Sequence, residues 1–147
     1  RGFEAKSEDR FDLLTAIEAF EHFDDPSGSL DEIFEKSSSC FFTTALHDGK
    51  EESIENWDYL APHHGQHIGF YSVKTLKFIA QKYNKYLYTD GKQLHLITEK
   101  KLWGNPILFS KLLKKLKLSA LLQKPMKTLC LSDSKILSKK QMDDHVA

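Results

Sequence analysis

Two stretches of this chain, residues 10–17 and 39–45, are apolar almost without interruption, and that pattern leaves few folds open. Strands with one solvated face alternate apolar and polar residues. A near-continuous apolar run instead marks a strand covered on both faces, as in parallel sheets. Phe11, Leu13, Leu14, Ala16 and Ile17 nearly fill the first stretch, and Ser39-Cys40-Phe41-Phe42-Thr43-Thr44-Ala45 forms the second. Between them, Asp24-Asp25-Pro26-Ser27-Gly28 reads as a turn. Ser29 and Glu32 then give the capping-box pattern S-x-x-E at the start of a helix. Leu30, Ile33 and Phe34 fall on one side of that helix, and Ser37 to Ser39 end it. A strand, a helix and a second strand predict parallel pairing through a right-handed crossover.

Residues 46–71 follow as a long irregular connection. Connections of that length in compact domains are functional or disordered, and Trp57, Tyr59, Phe70 and Tyr71 argue against disorder. Ser72 is placed to cap a helix whose Leu76, Ile79, Ala80 and Tyr83 form a core-facing stripe, with Asn84 as its stop. Tyr86-Leu87-Tyr88-Thr89 and Gln93-Leu94-His95-Leu96-Ile97-Thr98 flank Asp90-Gly91, a pair suited to a hairpin turn. Asn105-Pro106 caps a further helix with Pro at its first position. There Phe109, Leu112, Leu113 and Leu116 face one way, ringed by Lys111, Lys114, Lys115 and Lys117. Residues 119–147 are weakly patterned, with Asp133 able to cap a last short helix through Ile136 and Leu137. No internal repeat is visible.

Charge divides the chain in two. Residues 1–60 carry sixteen acidic and five basic side chains, and the remainder carries five acidic and sixteen basic. Mutual neutralisation within one folded unit accounts for this balance. Contact of the basic half with an anionic membrane or nucleic acid is the sharper alternative. The lysines of the last helix are not interleaved with aromatics as in a nucleic-acid groove, so no nucleic-acid partner is expected. Its leucine stripe is expected to pack on its own domain, with no membrane contact. Two cysteines, Cys40 and Cys130, make neither a disulfide framework nor a zinc site, and a reducing cytosol is the expected compartment. No apolar run approaches the roughly 18 residues of a spanning helix. The N-terminus has no signal-peptide core and no initiator Met, which fits a fragment or a processed chain.

This order of elements, with these residues on it, resembles the C-terminal half of class I S-adenosylmethionine-dependent methyltransferases. Phe11-Asp12-Leu13-Leu14-Thr15-Ala16 and Phe20-Glu21-His22 look like the family's fourth strand and the acidic turn after it. Trp57-x-Tyr59-x-x-Pro62, Gly65-Gln66-His67 and Phe70-Tyr71-Ser72 are similar to the active-site loop of a small bacterial subgroup, often found in sugar and cell-surface polysaccharide gene clusters. The resemblance covers about residues 9–98. It implies an α/β fold that forms the C-terminal part of a Rossmann-like methyltransferase: two parallel strands with helices, an antiparallel hairpin, then C-terminal helices. It implies a partial methyltransferase domain over residues 1–100 and a helical extension over 101–147. The Gly-rich loop that holds the methionyl part of the cofactor in the family, and the acidic strand end that holds its ribose, have no counterpart here. Backbone N–H groups of such a loop supply much of that ligand's polar satisfaction. The chain alone is therefore expected to bind the cofactor weakly or not at all.

The resemblance assigns Glu18, Ala19 and Phe20 to the cofactor's methionyl end. Glu21 and His22 stand at the carboxyl end of a strand, where open α/β sheets bind ligands, and are expected to be catalytic. His67 is the preferred general base, because imidazole titrates near neutrality; positioning the acceptor together with Tyr59 and Gln66, or anchoring the loop as a structural histidine, are the competing roles. Trp57, Tyr59, Gln66 and Tyr71 are expected to meet the substrate, the aromatic rings by stacking on a sugar face or by keeping the loop compact. His63, His64 and His67, even with His47, match no zinc spacing, and no metal is expected. The function expected is S-adenosylmethionine-dependent methyl transfer to a small or sugar-linked acceptor, with an upstream segment or second chain completing the fold. The alternative is a truncated, non-catalytic α/β fragment that acts as a binding or interaction module.

Overall fold

A computed structural model describes residues 10–50, 57–60 and 67–118. It contains a four-stranded mixed sheet and three α-helices. In chain order these are β1 (Leu14–Ile17), α1 (Pro26–Lys36), β2 (Ser39–Thr43), α2 (Val73–Lys82), β3 (Tyr86–Thr89), β4 (Leu94–Thr98) and α3 (Pro106–Lys115). Single 3₁₀ turns at Phe20–His22 and Asp58–Leu60 interrupt the connections. The strand order is β1-β2-β4-β3, with β1 and β2 parallel and β4 antiparallel to both β2 and β3. The α/β class, the parallel pair and the terminal hairpin are those expected from the sequence.

One face of the sheet carries the core. Leu14, Cys40, Ile97 and Leu87 lie in register across it, and Ala16, Phe42 and His95 form the next row. Leu30 and Ile33 of α1 and Leu76, Ile79 and Ala80 of α2 pack on this face. Tyr83 joins the two helices, its ring 4.7 Å from that of Phe34. The Cys40 thiol lies inside this core, and burial pushes its pKa up to about 12. It therefore behaves as a small hydrophobe rather than a nucleophile.

β2 is buried except at half-buried Phe41. β1 is not. It is four residues long, it lies at the edge of the described sheet, and only Ala16 is fully buried, while Leu13 and Ile17 are more than half exposed. Apolar content alone does not distinguish a central strand from an edge strand whose outer side has no paired neighbour among the described residues. Phe11 continues toward β1 only through an isolated bridge to Ser37.

The start of α1 also departs from the sequence reading. Asp25, not Ser29, is the N-cap: its carboxylate accepts from the Ser27 and Gly28 N–H groups, each at 3.1 Å. Pro26 takes the first helical position, where its fixed φ is suited and its missing N–H costs nothing. The residues expected to form a turn are thus the first turn of the helix. The other caps follow expectation. Ser72 Oγ accepts from the Thr75 N–H, and Asn105 Oδ1 accepts from those of Ile107 and Leu108. Each is worth about 1 kcal/mol. Asn84 ends the α2 region in the left-handed conformation, φ 52°.

In the hairpin, Gly91 sits at φ 74°, where a side chain would be strained. Burial alone would raise the Asp90 carboxyl. An ion pair with Lys111 and N–H donors from Gln93, Lys92 and Leu94 outweigh it and hold the group well below its usual range. That pair ties α3 to the turn. Ile107 is the buried residue of α3, while Phe109, Leu112 and Leu116 are all more than half exposed. The leucine stripe thus does not pack on the described part of the domain as expected. The expected short helix after Asp133 lies outside the described residues. No helix among the described residues is long and apolar enough to cross a membrane.

His95 is fully buried beneath Phe42, with ring centroids 5.0 Å apart. Its Nε2–H donates to the Thr44 carbonyl at 3.0 Å, which leaves Nδ1 to accept from the Thr89 hydroxyl at 2.7 Å. Burial favours the neutral ring and lowers the pKa. The folded pKa therefore lies below the unfolded value of about 6.5. Stability is complete above that value and is lost as pH falls from it through the folded pKa. Thermal unfolding of the wild type is expected to move to lower temperature below about pH 6.5 more steeply than that of His95→Gln. Parallel pH profiles for the two proteins would refute this assignment.

Candidate functional site

β1 ends at Ile17, and Glu18 reverses the chain in the left-handed conformation, φ 48°. Its N–H donates to Thr43 Oγ1 at 2.9 Å, and the same hydroxyl donates to Glu18 Oε1 at 2.6 Å. The reversal is thus fastened to the carboxyl end of β2. The 3₁₀ turn that follows buries Phe20 completely. The Phe20 ring stacks on Phe42 at a centroid distance of 3.9 Å and an interplanar angle of 6°.

The loop before α2 closes over this turn. The Ile68 and Gly69 N–H groups both donate to the Glu21 carbonyl at 2.9 Å. The Tyr71 hydroxyl donates to the Phe20 carbonyl at 3.0 Å. A Cβ at Gly69 would stand 3.3 Å from that carbonyl and 3.5 Å from the Tyr71 ring, so this close approach favours glycine. Leu46 and Tyr71 form a parallel bridge, which anchors the far end of the loop. Two segments distant in sequence thereby meet at the carboxyl ends of the parallel strands, where open α/β folds place ligands.

At that meeting point stand Glu21, His22 and His67. Each offers one ligand atom, and these atoms lie within 4.8 Å of one another. Glu21 is fully buried, yet neither carboxylate oxygen has a hydrogen-bond partner. His22 is exposed, and its ring centroid is 5.1 Å from that of half-buried His67. His67 Nδ1 lies 2.5 Å from the Tyr59 carbonyl. A carbonyl only accepts, so Nδ1 carries a proton, and in the neutral ring the lone pair is on Nε2.

The Tyr59 ring packs on His67 with centroids 4.3 Å apart, and its hydroxyl lies 3.3 Å from Thr44 Oγ1. Burial pushes the Tyr59 pKa up to about 12; Thr44 opposes the rise, and the nearby Glu21 carboxylate adds to it. The phenol near that carboxylate does not complete a hydrogen bond with it. It remains protonated at neutral pH. Trp57 lies half-buried among His47, Tyr59 and Phe70. It borders a cavity of about 240 Å³ lined by Leu46, His47, Asp48 and Trp57. A larger cavity of about 410 Å³, bordered by Arg10, Phe34 and Lys36, lies before the amino ends of β1 and β2. That is the wrong end of a parallel pair for the chemistry described here.

Of the residues singled out from the sequence, Glu18, Ala19, Glu21, His22, Tyr59, Trp57 and His67 all lie on this turn or this loop. Two further candidate side chains are buried. Phe20 is core, and so is Tyr71, which is buried and spent on holding the turn. Their aromatic character reflects the packing that a long loop needs in order to stay compact. Gln66, His63 and His64 lie outside the described residues. The contributions of Thr43, Thr44 and Gly69 were missed. A Gly between a His and two aromatics was the one signal that pointed to a close backbone approach.

Residues 1–88 match a family model described as a methyltransferase domain. No curated protein and no solved structure matches the chain.

Proposed function

The chain belongs to the methyltransferase-domain family, and from that premise we propose that its Glu21–His22–His67 cluster forms the acceptor side of an S-adenosylmethionine-dependent site. The observation that carries this reading is the buried, unpartnered Glu21 carboxylate within 4.8 Å of a ring nitrogen of His67. A buried charge without a partner is expensive, and such groups concentrate where function requires them.

S-Adenosylmethionine, when bound, supplies the methyl group as a cationic sulfonium. The residues present fit one end of that molecule. Glu18 brings a carboxylate to the reversal after β1, and Glu21 adds a second close by; negative charge suits a sulfonium. The sequence offers no Gly-rich loop for the rest of the molecule. The cluster binds the acceptor's attacking group and relieves it of its proton, and half-buried Tyr59 orients it through a protonated hydroxyl. Trp57 borders a cavity and packs on Tyr59, whose ring packs on His67, and its flat face fits a small or sugar-linked acceptor.

Calorimetric titration of the chain with S-adenosylmethionine tests the cofactor part of this reading. Contacts to one end of the molecule predict a Kd on the order of 1 mM. Micromolar binding would show that the pocket is complete without a Gly-rich loop and would overturn the half-site description.

A further inference from the structure

We propose that Glu21, His22 and His67 bind a divalent first-row transition cation. The sequence reading expects no metal, because it weighs the histidines that are close in sequence. The structure assembles a different set, one carboxylate and two imidazoles from two segments. This donor set of mixed oxygen and nitrogen suits zinc, manganese or iron better than the all-oxygen preference of calcium and magnesium.

Three independent observations point to a cation. First, Glu21 is fully buried and both of its oxygens lack a hydrogen bond. Buried charges are paired or coordinate metals. Second, His67 is anchored through Nδ1 to the Tyr59 carbonyl, which fixes the ring and its tautomer and leaves Nε2 as the donor. That backbone anchor is the usual outer support of a metal-ligating histidine. Third, the two segments are locked together by the Ile68 and Gly69 N–H groups on the Glu21 carbonyl. The ligands are thereby preorganised rather than merely adjacent.

The donor atoms lie within 4.8 Å of one another, whereas a cation at about 2.1 Å from each needs separations of about 3.4 Å. A change of side-chain torsion on binding would close that difference. Three protein ligands with a side open to solvent leave a coordination position for an acceptor oxygen. A hydroxyl bound there would have its pKa lowered and would lose its proton to water. His67 would then act as a ligand, and the cation would do the activation expected of a general base. That use in methyl transfer rests on the preceding reading; the existence of the site rests on the ligand geometry alone.

The test is calorimetric titration of the chelator-stripped chain with Zn²⁺ and Mn²⁺, run beside Glu21→Gln, His22→Ala and His67→Ala, with circular dichroism as a check of folding. The expected result is one equivalent of cation bound by the wild type, with affinity reduced at least about tenfold in each variant. His22 is exposed, so His22→Ala keeps the test valid even if a buried variant fails to fold. No binding by the wild type, or equal affinity in folded variants, would overturn the proposal. Neither result depends on S-adenosylmethionine, so failure of the metal site and failure of the methyl-transfer reading are separately visible.

Discussion

Replacing Glu21 by glutamine is expected to lower methyl transfer at least about 100-fold while leaving the protein no less stable. The two halves of that prediction have the same source. The Glu21 carboxylate is fully buried and unpartnered, so in the absence of ligands it opposes folding. Glutamine keeps the shape and removes the charge, and removing an uncompensated buried charge relieves a large desolvation cost. A residue kept for structure would show the opposite pattern, with stability lost and rate changed only in proportion to the folded fraction. His67→Ala is expected to give a similar loss of rate, because it removes one imidazole of the cluster. Single-turnover rates under saturating substrates, with denaturant titrations in the presence of chelator, separate the two effects. If both variants retained the wild-type rate, the acceptor site would have to lie elsewhere.

The largest expected effect on stability is at Phe42. Its ring is fully buried, stacked at 3.9 Å on Phe20 and in contact with His95 at 5.0 Å between centroids. Truncation to alanine removes the contacts of a large side chain and leaves a cavity among rigid neighbours, a change that costs about 3–5 kcal/mol. Domains of this size are stable by only about 5–15 kcal/mol, so Phe42→Ala is expected to lose a large share of the total in urea denaturation. Phe20 rests on that ring, and Glu21 follows Phe20 in the same 3₁₀ turn. The site is thus built directly on the centre of the core. A loss below about 1 kcal/mol would mean that the surrounding side chains collapse into the gap, and that the stack does not support the turn.

Local chemistry explains which parts were legible in the sequence. Ser72, Asn105-Pro106 and Asp90-Gly91 announce their structures because a cap or a turn needs only a few adjacent residues. The two apolar strands and their parallel pairing were readable for a similar reason. The strength of signal misled in two places. Ser29 with Glu32 matches a capping box, but Asp25 with Pro26 is a better start four residues earlier, and the helix takes it. Leu13 and Ile17 look like core residues, yet β1 lies at the edge of the described sheet, and burial depends on neighbours that composition does not specify.

The site was half legible. Its turn and its loop were both visible as clusters, and Glu21, His22, His67 and Tyr59 were identified within them. What the sequence does not show is that two N–H groups fasten residues 68 and 69 to the Glu21 carbonyl. That closure turns two clusters into one constellation. It also separates aromatic side chains that hold the turn, Phe20 and Tyr71, from Tyr59 and Trp57, which stay partly open. The same closure explains why histidines adjacent in sequence drew attention away from the set that converges in space.

On the proposed function, a cofactor's reactive end meets this chain at the turn after β1. The measurement that tests it most directly is a nuclear magnetic resonance titration of the isotope-labelled chain with S-adenosylhomocysteine, carried to beyond about 1 mM because weak binding is expected. The predicted result is a saturable set of shifts centred on Glu18 to His22 and on the facing segment His67 to Tyr71. Shifts confined to the cavity at the other end of the sheet, around Arg10, Phe34 and Lys36, or no shifts at all in a folded chain, would contradict it.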